Sequence, residues 1–127
     1  MNKFLLIGSG GFLGAVARYG LGGVVQKWSG SIDFPYGTLA VNIVGCMLMG
    51  LVSQLSESRG FFSAEARFFL FIGFLGAFTT FSTFGSETFG LLSGEKHLLA
   101  ILNVGFHMFF GLGSVWIGQI LAYQIWR

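Results

Sequence analysis

Hydroxyl and phenylalanine side chains alternate within one apolar stretch of this chain, Gly73 to Glu87, which reads GFLGAFTTFSTFGSE. Hydroxyls donate and accept hydrogen bonds, and the edges of phenylalanine rings carry partial positive charge, so both can contact an anion. Hydroxyls buried in apolar surroundings without partners are costly, so they must face protein, a bound ion or a water-filled path. The residues concerned are Thr79, Thr80, Phe81, Ser82, Thr83 and Phe84.

The phenylalanines of this stretch follow helical spacing. Phe74, Phe78 and Phe81 stand at i, i+4 and i+7, and Phe84 follows Phe81 by one turn. Residues at these spacings share one face of a helix, so the pattern predicts rings along a common face. Aromatic stripes usually indicate core packing, whereas the interleaved hydroxyls favour a polar path.

Two glycines precede the hydroxyl run. Gly73 and Gly76 weaken a helix because glycine has no conformational preference for it. A broken helix in the middle of a membrane can expose backbone carbonyls to an ion. The sequence therefore predicts that this segment is broken near mid-membrane.

Polar side chains also occur in the other apolar segments. Arg18 indicates a functional site by default, although its side chain could instead reach the lipid headgroups. Asn42 offers amide donors to an anion or to a neighbouring helix. Asn103 and His107 are four residues apart and share a face that either lines a path or joins helices. No second histidine or carboxylate stands at ligand spacing, so the side chains predict no metal site.

Composition identifies the class of protein to which these residues belong. The 127 residues are 54% hydrophobic and 9% charged, with a mean hydropathy of +0.76. Soluble domains carry about 25% charged residues, so the chain is predicted to be an integral membrane protein with a single domain, residues 1–127. The seven Lys and Arg residues are scattered, which argues against nucleic-acid binding.

Four apolar segments are long enough to cross a bilayer as helices. They run from Phe4 to Val25, Phe34 to Leu55, Phe68 to Leu92 and Leu98 to Trp126. Ser63 is predicted to cap the helix that follows it. An all-α membrane protein is therefore expected. Gly10 and Gly14 allow close approach of another helix, and the small size of the chain favours an oligomer.

The distribution of positive charge gives little orientation preference. One side of the membrane would carry Lys3, Arg59, Arg67 and Arg127, and the other Lys27 and Lys96, with Arg18 if its side chain extends that way. This weak bias is compatible with insertion in both orientations, or with one modestly preferred topology.

Three motifs together resemble the CrcB/Fluc family of fluoride channels. They are the arginine at position 18, the pattern G-T-L-x-x-N-x-x-G from Gly37 to Gly45, and T-T-F-S-T-F from Thr79 to Phe84. The resemblance extends over the whole chain. It implies an antiparallel, dual-topology homodimer that exports fluoride passively through two symmetry-related pores in the cell membrane, the inner membrane of a bacterium.

The resemblance also assigns residues. The implied fluoride pore residues are Asn42, Phe81, Ser82, Thr83 and Phe84, with Arg18 as the segment-one arginine and Glu87 near the vestibule. Asn103 and His107 stand where many members have a tyrosine or serines. A structural sodium ion at the dimer interface would be held by the backbone carbonyls of Gly76 and Thr79.

Two other classes are compatible with the residues. A small proton-coupled multidrug exporter needs a titratable carboxylate in the membrane, and Glu87 is the candidate. A noncatalytic subunit of a larger membrane complex is the other. Catalysis is not expected, because no nucleophile, base and orienting group are assembled in the sequence.

Overall fold

The computed structural model describes residues 2–126, so the charge counted at Arg127 lies outside the described part. These residues form helices and no strand. The elements, in order, are α1 (Lys3–Ser29), α2 (Tyr36–Arg59), α3 (Ala64–Arg67), a π-helix (Phe68–Leu75), α4 (Gly76–Phe78), α5 (Phe81–Ser93) and α6 (His97–Ile125).

Four helical spans are long and apolar enough to cross a membrane. They are Lys3–Ser29, Tyr36–Ser58, Ala64–Ser93 and His97–Ile125, with mean hydropathies of 1.4, 1.7, 1.6 and 1.8. The prediction of four spans in an all-helical protein is confirmed. Each span starts or ends within a few residues of its predicted limits, and the third begins four residues earlier, at Ala64.

Local sequence signals set the ends of these helices. Ser63 accepts a hydrogen bond from the Ala66 N–H at 3.2 Å, which confirms the predicted cap of α3. Gly30 and Gly60 end α1 and α2 with φ of 63° and 56°, a left-handed conformation that glycine adopts without steric cost.

The third span is irregular along its length. Its middle, Phe68–Leu75, is a π-helix, and α4 ends at Phe78. Thr79 and Thr80 then adopt extended backbone, with ψ of 152° and 121°, before α5 begins at Phe81. The two residues therefore separate α4 from α5.

This interruption contradicts the expectation that Phe74, Phe78 and Phe81 share one face. The rings of Phe74 and Phe78 stack at 5.8 Å, and Phe78 is only 4% exposed. Phe81 lies beyond the extended residues and is 82% exposed. Helical spacing does not continue across non-helical backbone, so Phe81 faces outward while Phe78 lies in the core.

Glycines allow the main helix contacts. A Cβ on Gly14 would overlap the Phe74 carbonyl oxygen, and one on Gly118 would overlap that of Met47. Close approach of backbones strengthens van der Waals packing where lipid supplies no hydrophobic driving force. The Gly10 and Gly14 pair is thus used within the chain, where α1 packs on the π-helix.

The connector between α1 and α2 is held by one side chain. Gln26 Nε2 donates to the carbonyl oxygens of Ser31 and Phe34, at 2.8 and 3.0 Å, and Gln26 Oε1 accepts from the Gly37 N–H at 2.9 Å. Asp33 of this connector forms an ion pair with Lys96, in the turn before α6. These contacts fix the end of the molecule where a polar groove opens.

Candidate functional site

Asn42 of α2 binds the backbone of Thr80, in the interruption between α4 and α5. Its Nδ2 donates to the Thr80 carbonyl oxygen at 3.2 Å, and its Oδ1 accepts from the Thr80 N–H at 3.0 Å. An extended residue directs its own N–H and C=O to the same side, as in a strand pair. The Asn42 amide therefore replaces helical hydrogen bonds that Thr80 cannot make.

Hydroxyls cluster at the start of α5. Thr80 Oγ1 caps this helix by accepting from the Thr83 N–H at 3.3 Å. The same atom lies 3.2 Å from Ser82 Oγ and 3.2 Å from Thr83 Oγ1. Ser82 and Thr83 are exposed on this chain. Three hydroxyls thus converge at a helix N-terminus, where the helix dipole also favours negative charge.

Aromatic rings continue from this cluster into the protein. The centroids of Phe81 and Phe84 lie 5.5 Å apart, and those of Phe84 and His107 lie 4.4 Å apart. Phe81 is exposed, whereas Phe84 and His107 are half-buried. The prediction that Phe81 and Phe84 are neighbours is therefore confirmed.

The predicted polar face of α6 is also formed. His107 Nδ1 lies 2.9 Å from the Asn103 carbonyl oxygen, and His107 Nε2 lies 3.1 Å from Asn42 Nδ2. Asn103 is fully buried and donates from Nδ2 to Thr88 Oγ1 at 2.9 Å, while its Oδ1 has no partner. Thr88 in turn donates to the Phe84 carbonyl oxygen at 2.7 Å. The polar residues of α2, α5 and α6 form one continuous network.

An open groove of about 840 Å³ lies beside this network. Its lining includes Arg18, Thr83 and Glu87 from the predicted site, together with Thr38, Thr80 and Lys96. Glu87 Oε1 accepts from the Thr38 hydroxyl at 2.7 Å, and its Oε2 is buried without a partner. The groove therefore has both cationic and anionic side chains.

Charge within the groove is unevenly neutralised. Lys96 and Asp33 pair with each other near its rim. Arg18 forms no ion pair within residues 2–126, and Glu87 accepts from a hydroxyl and not from a cation. Arg18 is consequently the cation of this groove with no carboxylate on it, and it can attract an anion.

The backbone carbonyls of Gly76 and Thr79 lose their usual helical donors. In an unbroken helix the N–H four residues later would bond each of them. The Thr80 N–H donates instead to Asn42, and the Thr83 N–H donates instead to Thr80 Oγ1. Residues 2–126 also contain no group of three His, Cys, Asp or Glu residues placed to hold a metal. These two backbone oxygens are therefore left without the donors that a continuous helix would supply.

The predicted site residues thus fall into adjoining groups. Arg18, Thr83 and Glu87 line the groove, Phe81, Ser82 and Phe84 lie at or near the start of α5, and Asn42, Asn103 and His107 form the network behind them. The sequence predicted no role for Thr88, or for Thr38 beyond its place in the motif from Gly37 to Gly45. A signal existed for Thr38, because it lies one turn before Asn42 on α2 and a carboxylate such as Glu87 needs a donor.

These features define a small multi-pass membrane protein with a polar groove and an adjoining polar network. A family model described as CrcB-like protein, Camphor Resistance (CrcB), matches residues 5–119. The chain therefore belongs to the CrcB family, as its motifs predict.

Relatives match over nearly the whole chain. A fluoride-specific ion channel, FluC 1, of Methanosarcina acetivorans is 49% identical over 98% of this chain and 94% of the relative. FluC 3 of Methanosarcina barkeri is 45% identical over 96% and 91%. FluC of Nitratidesulfovibrio vulgaris strain Miyazaki F is 42% identical over 93% and 94%. All three are named as ion channels, which supports the expectation that this chain is not an enzyme.

Proposed function

We propose that this protein is a fluoride-selective channel that lets fluoride leave the cell passively and so limits its toxicity. The relatives named as fluoride-specific channels support the choice of ion. The observation that carries the proposal is the convergence of hydroxyls and ring edges at the start of α5. The proposed location is the cell membrane, the inner membrane of a bacterium.

The chemistry of fluoride suits this cluster. Fluoride is small, strongly hydrated and a strong hydrogen-bond acceptor, so a selective pore must replace its water with closely spaced donors. Ser82 and Thr83 supply exposed hydroxyls, and the edges of Phe81 and Phe84 add weak electropositive contacts. Weak, distributed contacts allow release as well as binding, which a channel requires.

The groove serves as the vestibule in this proposal. Arg18 raises the local concentration of anions there, and Thr83 and Thr80 connect the groove to the cluster at the start of α5. Asn42, Asn103 and His107 form a hydrogen-bonded network beside Phe84, whose ring lies 4.4 Å from that of His107. Fluoride would thus pass from charged to neutral donors as it moves inward.

A second copy of the chain completes each pore. Phe81, Ser82, Thr83 and Gly76 are exposed in a span that must cross the membrane. Hydroxyls exposed to lipid are costly, so another protein surface is the better neighbour. An antiparallel, dual-topology homodimer places two copies of this surface against each other and forms two pores.

A structural sodium ion fits between the copies. The carbonyl oxygens of Gly76 and Thr79 have lost their helical donors, and Gly76 is exposed where a symmetry mate would lie. A fixed cation there would also offset the cost of an anion at that depth. Dialysis into sodium-free N-methylglucamine buffer is expected to weaken the dimer on size-exclusion chromatography, and added Na⁺ is expected to restore it. A dimer indifferent to sodium would remove the ion from the proposal.

Efflux from proteoliposomes tests the function. Liposomes that contain the purified protein are loaded with fluoride. They should release it once valinomycin provides the compensating cation current, with no proton gradient present. Chloride-loaded vesicles of the same composition should release almost nothing. Equal chloride and fluoride efflux would contradict selectivity, and no efflux of either ion would favour a scaffolding subunit.

One observation favours a second candidate. Glu87 is half-buried within a membrane span, and one of its carboxylate oxygens has no partner. Proton-coupled exporters use such intramembrane carboxylates, so a small multidrug-type exporter that uses Glu87 is the alternative function.

A further inference from the structure

We propose that Asn42 is a positioning residue: its side-chain amide holds the interruption between α4 and α5 open and fixes the proton of His107, instead of binding the permeating ion. The proposal deepens the proposed function and rests on it only for the flux measurement. The hydrogen bonds themselves can be tested without transport.

Every hydrogen-bonding group that a pore lining would need from Asn42 is already used. Its amide carries two N–H donors. One donates to the Thr80 carbonyl oxygen at 3.2 Å and the other faces His107 Nε2 at 3.1 Å. Its Oδ1 accepts from the Thr80 N–H at 3.0 Å. No donor is left for fluoride unless one of these bonds breaks.

The partners of His107 determine where its proton lies. The Asn103 carbonyl oxygen can only accept, so the Nδ1 atom 2.9 Å away must carry a proton. Asn42 Nδ2 can only donate, so Nε2 must present its lone pair. The structure therefore assigns the neutral Nδ1–H tautomer to His107, with its ring fixed 4.4 Å from that of Phe84.

The same amide also determines which carbonyls are free. By accepting the Thr80 N–H, Asn42 withdraws the donor that a continuous helix would give to Gly76. Without this acceptor, the Thr80 N–H would have no partner in the extended backbone, and the interruption would lose its hydrogen bonds to α2. Asn42 thus links the two halves of the site, because it releases a carbonyl on one side and orients the His107 ring, which contacts Phe84, on the other.

Nuclear magnetic resonance of the wild-type protein in bilayers gives the first test. The chain has two histidines, so ¹⁵N-histidine labelling with a His97→Gln variant assigns the signals of His107. We expect a protonated Nδ1 and an unprotonated Nε2. A proton on Nε2 in the wild type would overturn the proposal, and His97→Gln, outside the bonds of Asn42, serves only to assign the signals.

Two substitutions separate the bonds of Asn42. Asn42→Asp keeps an acceptor for the Thr80 N–H but places an acceptor opposite His107 Nε2, so we expect Nε2 to become protonated while the Thr80 amide stays protected. Asn42→Ala removes all three bonds, and exchange of the Thr80 amide should quicken by about tenfold, the effect of losing one hydrogen bond. Unchanged Thr80 exchange in Asn42→Ala would overturn the proposal.

Cys46→Ala is the matched control, because it lies one turn from Asn42 on α2 and makes none of these bonds. It should leave the Thr80 exchange, the His107 tautomer and the fluoride flux as in wild type, whereas both Asn42 variants should lower the flux.

Fluoride titration separates positioning from direct binding. Saturating fluoride should leave the Asn42 side-chain amide signals in place and shift those of the α5 hydroxyl residues. A shift of the Asn42 amide with loss of its bond to His107 would make Asn42 an ion ligand and overturn the proposal. If the wild type conducts no fluoride, the channel function fails, while the tautomer and the Thr80 exchange still decide the role of Asn42.

Discussion

Phe81, next to the hydroxyl cluster at the start of α5, makes few contacts with its own chain. Its ring is 82% exposed and touches Phe84 at 5.5 Å. A phenylalanine exposed at a lipid-facing position needs no explanation, but this one adjoins Ser82 and the N-terminus of α5. In the proposed channel, its edge would meet the same anion as the hydroxyls.

Replacing this ring is predicted to reduce fluoride flux without unfolding the protein. Phe81→Ile keeps the apolar bulk and removes the electropositive edge, whose contacts are worth about 1 kcal/mol, or roughly fivefold in rate. Fluoride efflux from proteoliposomes measures the effect. Phe12→Ile, on an exposed face of α1, is the matched control and should conduct as wild type does. Undiminished flux in Phe81→Ile would remove this ring from the mechanism.

Substitution of Glu87 distinguishes the proposed fluoride channel from the alternative proton-coupled exporter. A passive channel needs no proton gradient, so fluoride efflux from wild type and Glu87→Gln should not depend on one, even if the rates differ. The glutamine keeps an oxygen to accept from Thr38. Glu57→Gln, exposed near the end of α2, controls for the lost charge. Proton-driven uptake of a cationic drug that disappears in Glu87→Gln would instead establish the exporter.

Much of the site was readable from residue types alone. The hydroxyls and rings from Thr79 to Phe84 conflict with an apolar span, and such conflict is what a functional site produces. Thr88 carried no comparable signal, because a threonine bonded to the carbonyl four residues earlier is common in helices. The use of both Asn42 donors could not be predicted either, since it depends on the path of a backbone from another helix.

At the scale of elements, the interruption in the third span is the feature on which the site depends. Thr80 lies where α4 has ended and α5 has not begun, and its hydroxyl caps the second helix. The sequence predicted that the helix is weakened earlier along the third span, at Gly73 and Gly76. Gly73 instead serves close packing, because a Cβ there would lie 3.0 Å from the Cα of Gly10.

The contact between α2 and α6 is predicted to be intolerant of even one methyl group. A Cβ on Gly118 would overlap the Met47 carbonyl oxygen and lie 2.8 Å from the Leu51 backbone nitrogen. Gly118→Ala should lower the free energy of unfolding by about 1–3 kcal/mol through overpacking. Unfolding of the purified protein by SDS measures it.

Gly113→Ala is the matched control for this substitution. It lies on the same helix, where an added Cβ meets nothing within 4 Å. It should leave stability unchanged or raise it by up to about 1 kcal/mol, because alanine favours a helix over glycine. Equal losses in the two variants would show that close packing at Gly118 is not what stabilises the contact.

The elements themselves followed from the sequence because hydropathy and caps are local properties. Four apolar runs and Ser63 as a cap are read from neighbouring residues. The π-helix Phe68–Leu75 was not predicted, since its sequence is as apolar as any membrane helix. Its geometry accompanies the close packing of α1, which is a property of the tertiary fold.

At the scale of the whole molecule, the exposed surface and the distribution of charge are the features that favour the proposed dimer. Phe81, Ser82 and Thr83 are exposed on one span. The positive charges at the two membrane-facing ends of the whole molecule are nearly balanced. In the proposed dimer, a second protein surface covers these hydroxyls, and the charge balance permits that surface to be an inverted copy. Neither property could be obtained from one residue or one helix.

Dual topology is predicted to appear as half-labelling of both ends of the molecule. In a Cys46→Ala background, Ser58→Cys and Ser93→Cys place neutral, exposed thiols at opposite ends of the spans. An impermeant maleimide added to intact cells should label each at about half of the level reached in permeabilised cells, because the charge bias is weak. Full labelling of one cysteine and none of the other would establish a single topology and exclude the antiparallel dimer.

Removing one positive charge should then change the proportion of the two membrane orientations in a predictable direction. Lys27 is exposed at the end of α1, on the side that carries Ser93. Lys27→Gln leaves the Ser58 side relatively more positive, so that side should be retained in the cytoplasm more often. External labelling of Ser58→Cys should fall and that of Ser93→Cys should rise. Because an antiparallel dimer needs equal numbers of both orientations, fluoride efflux from these cells should decline in parallel with the imbalance.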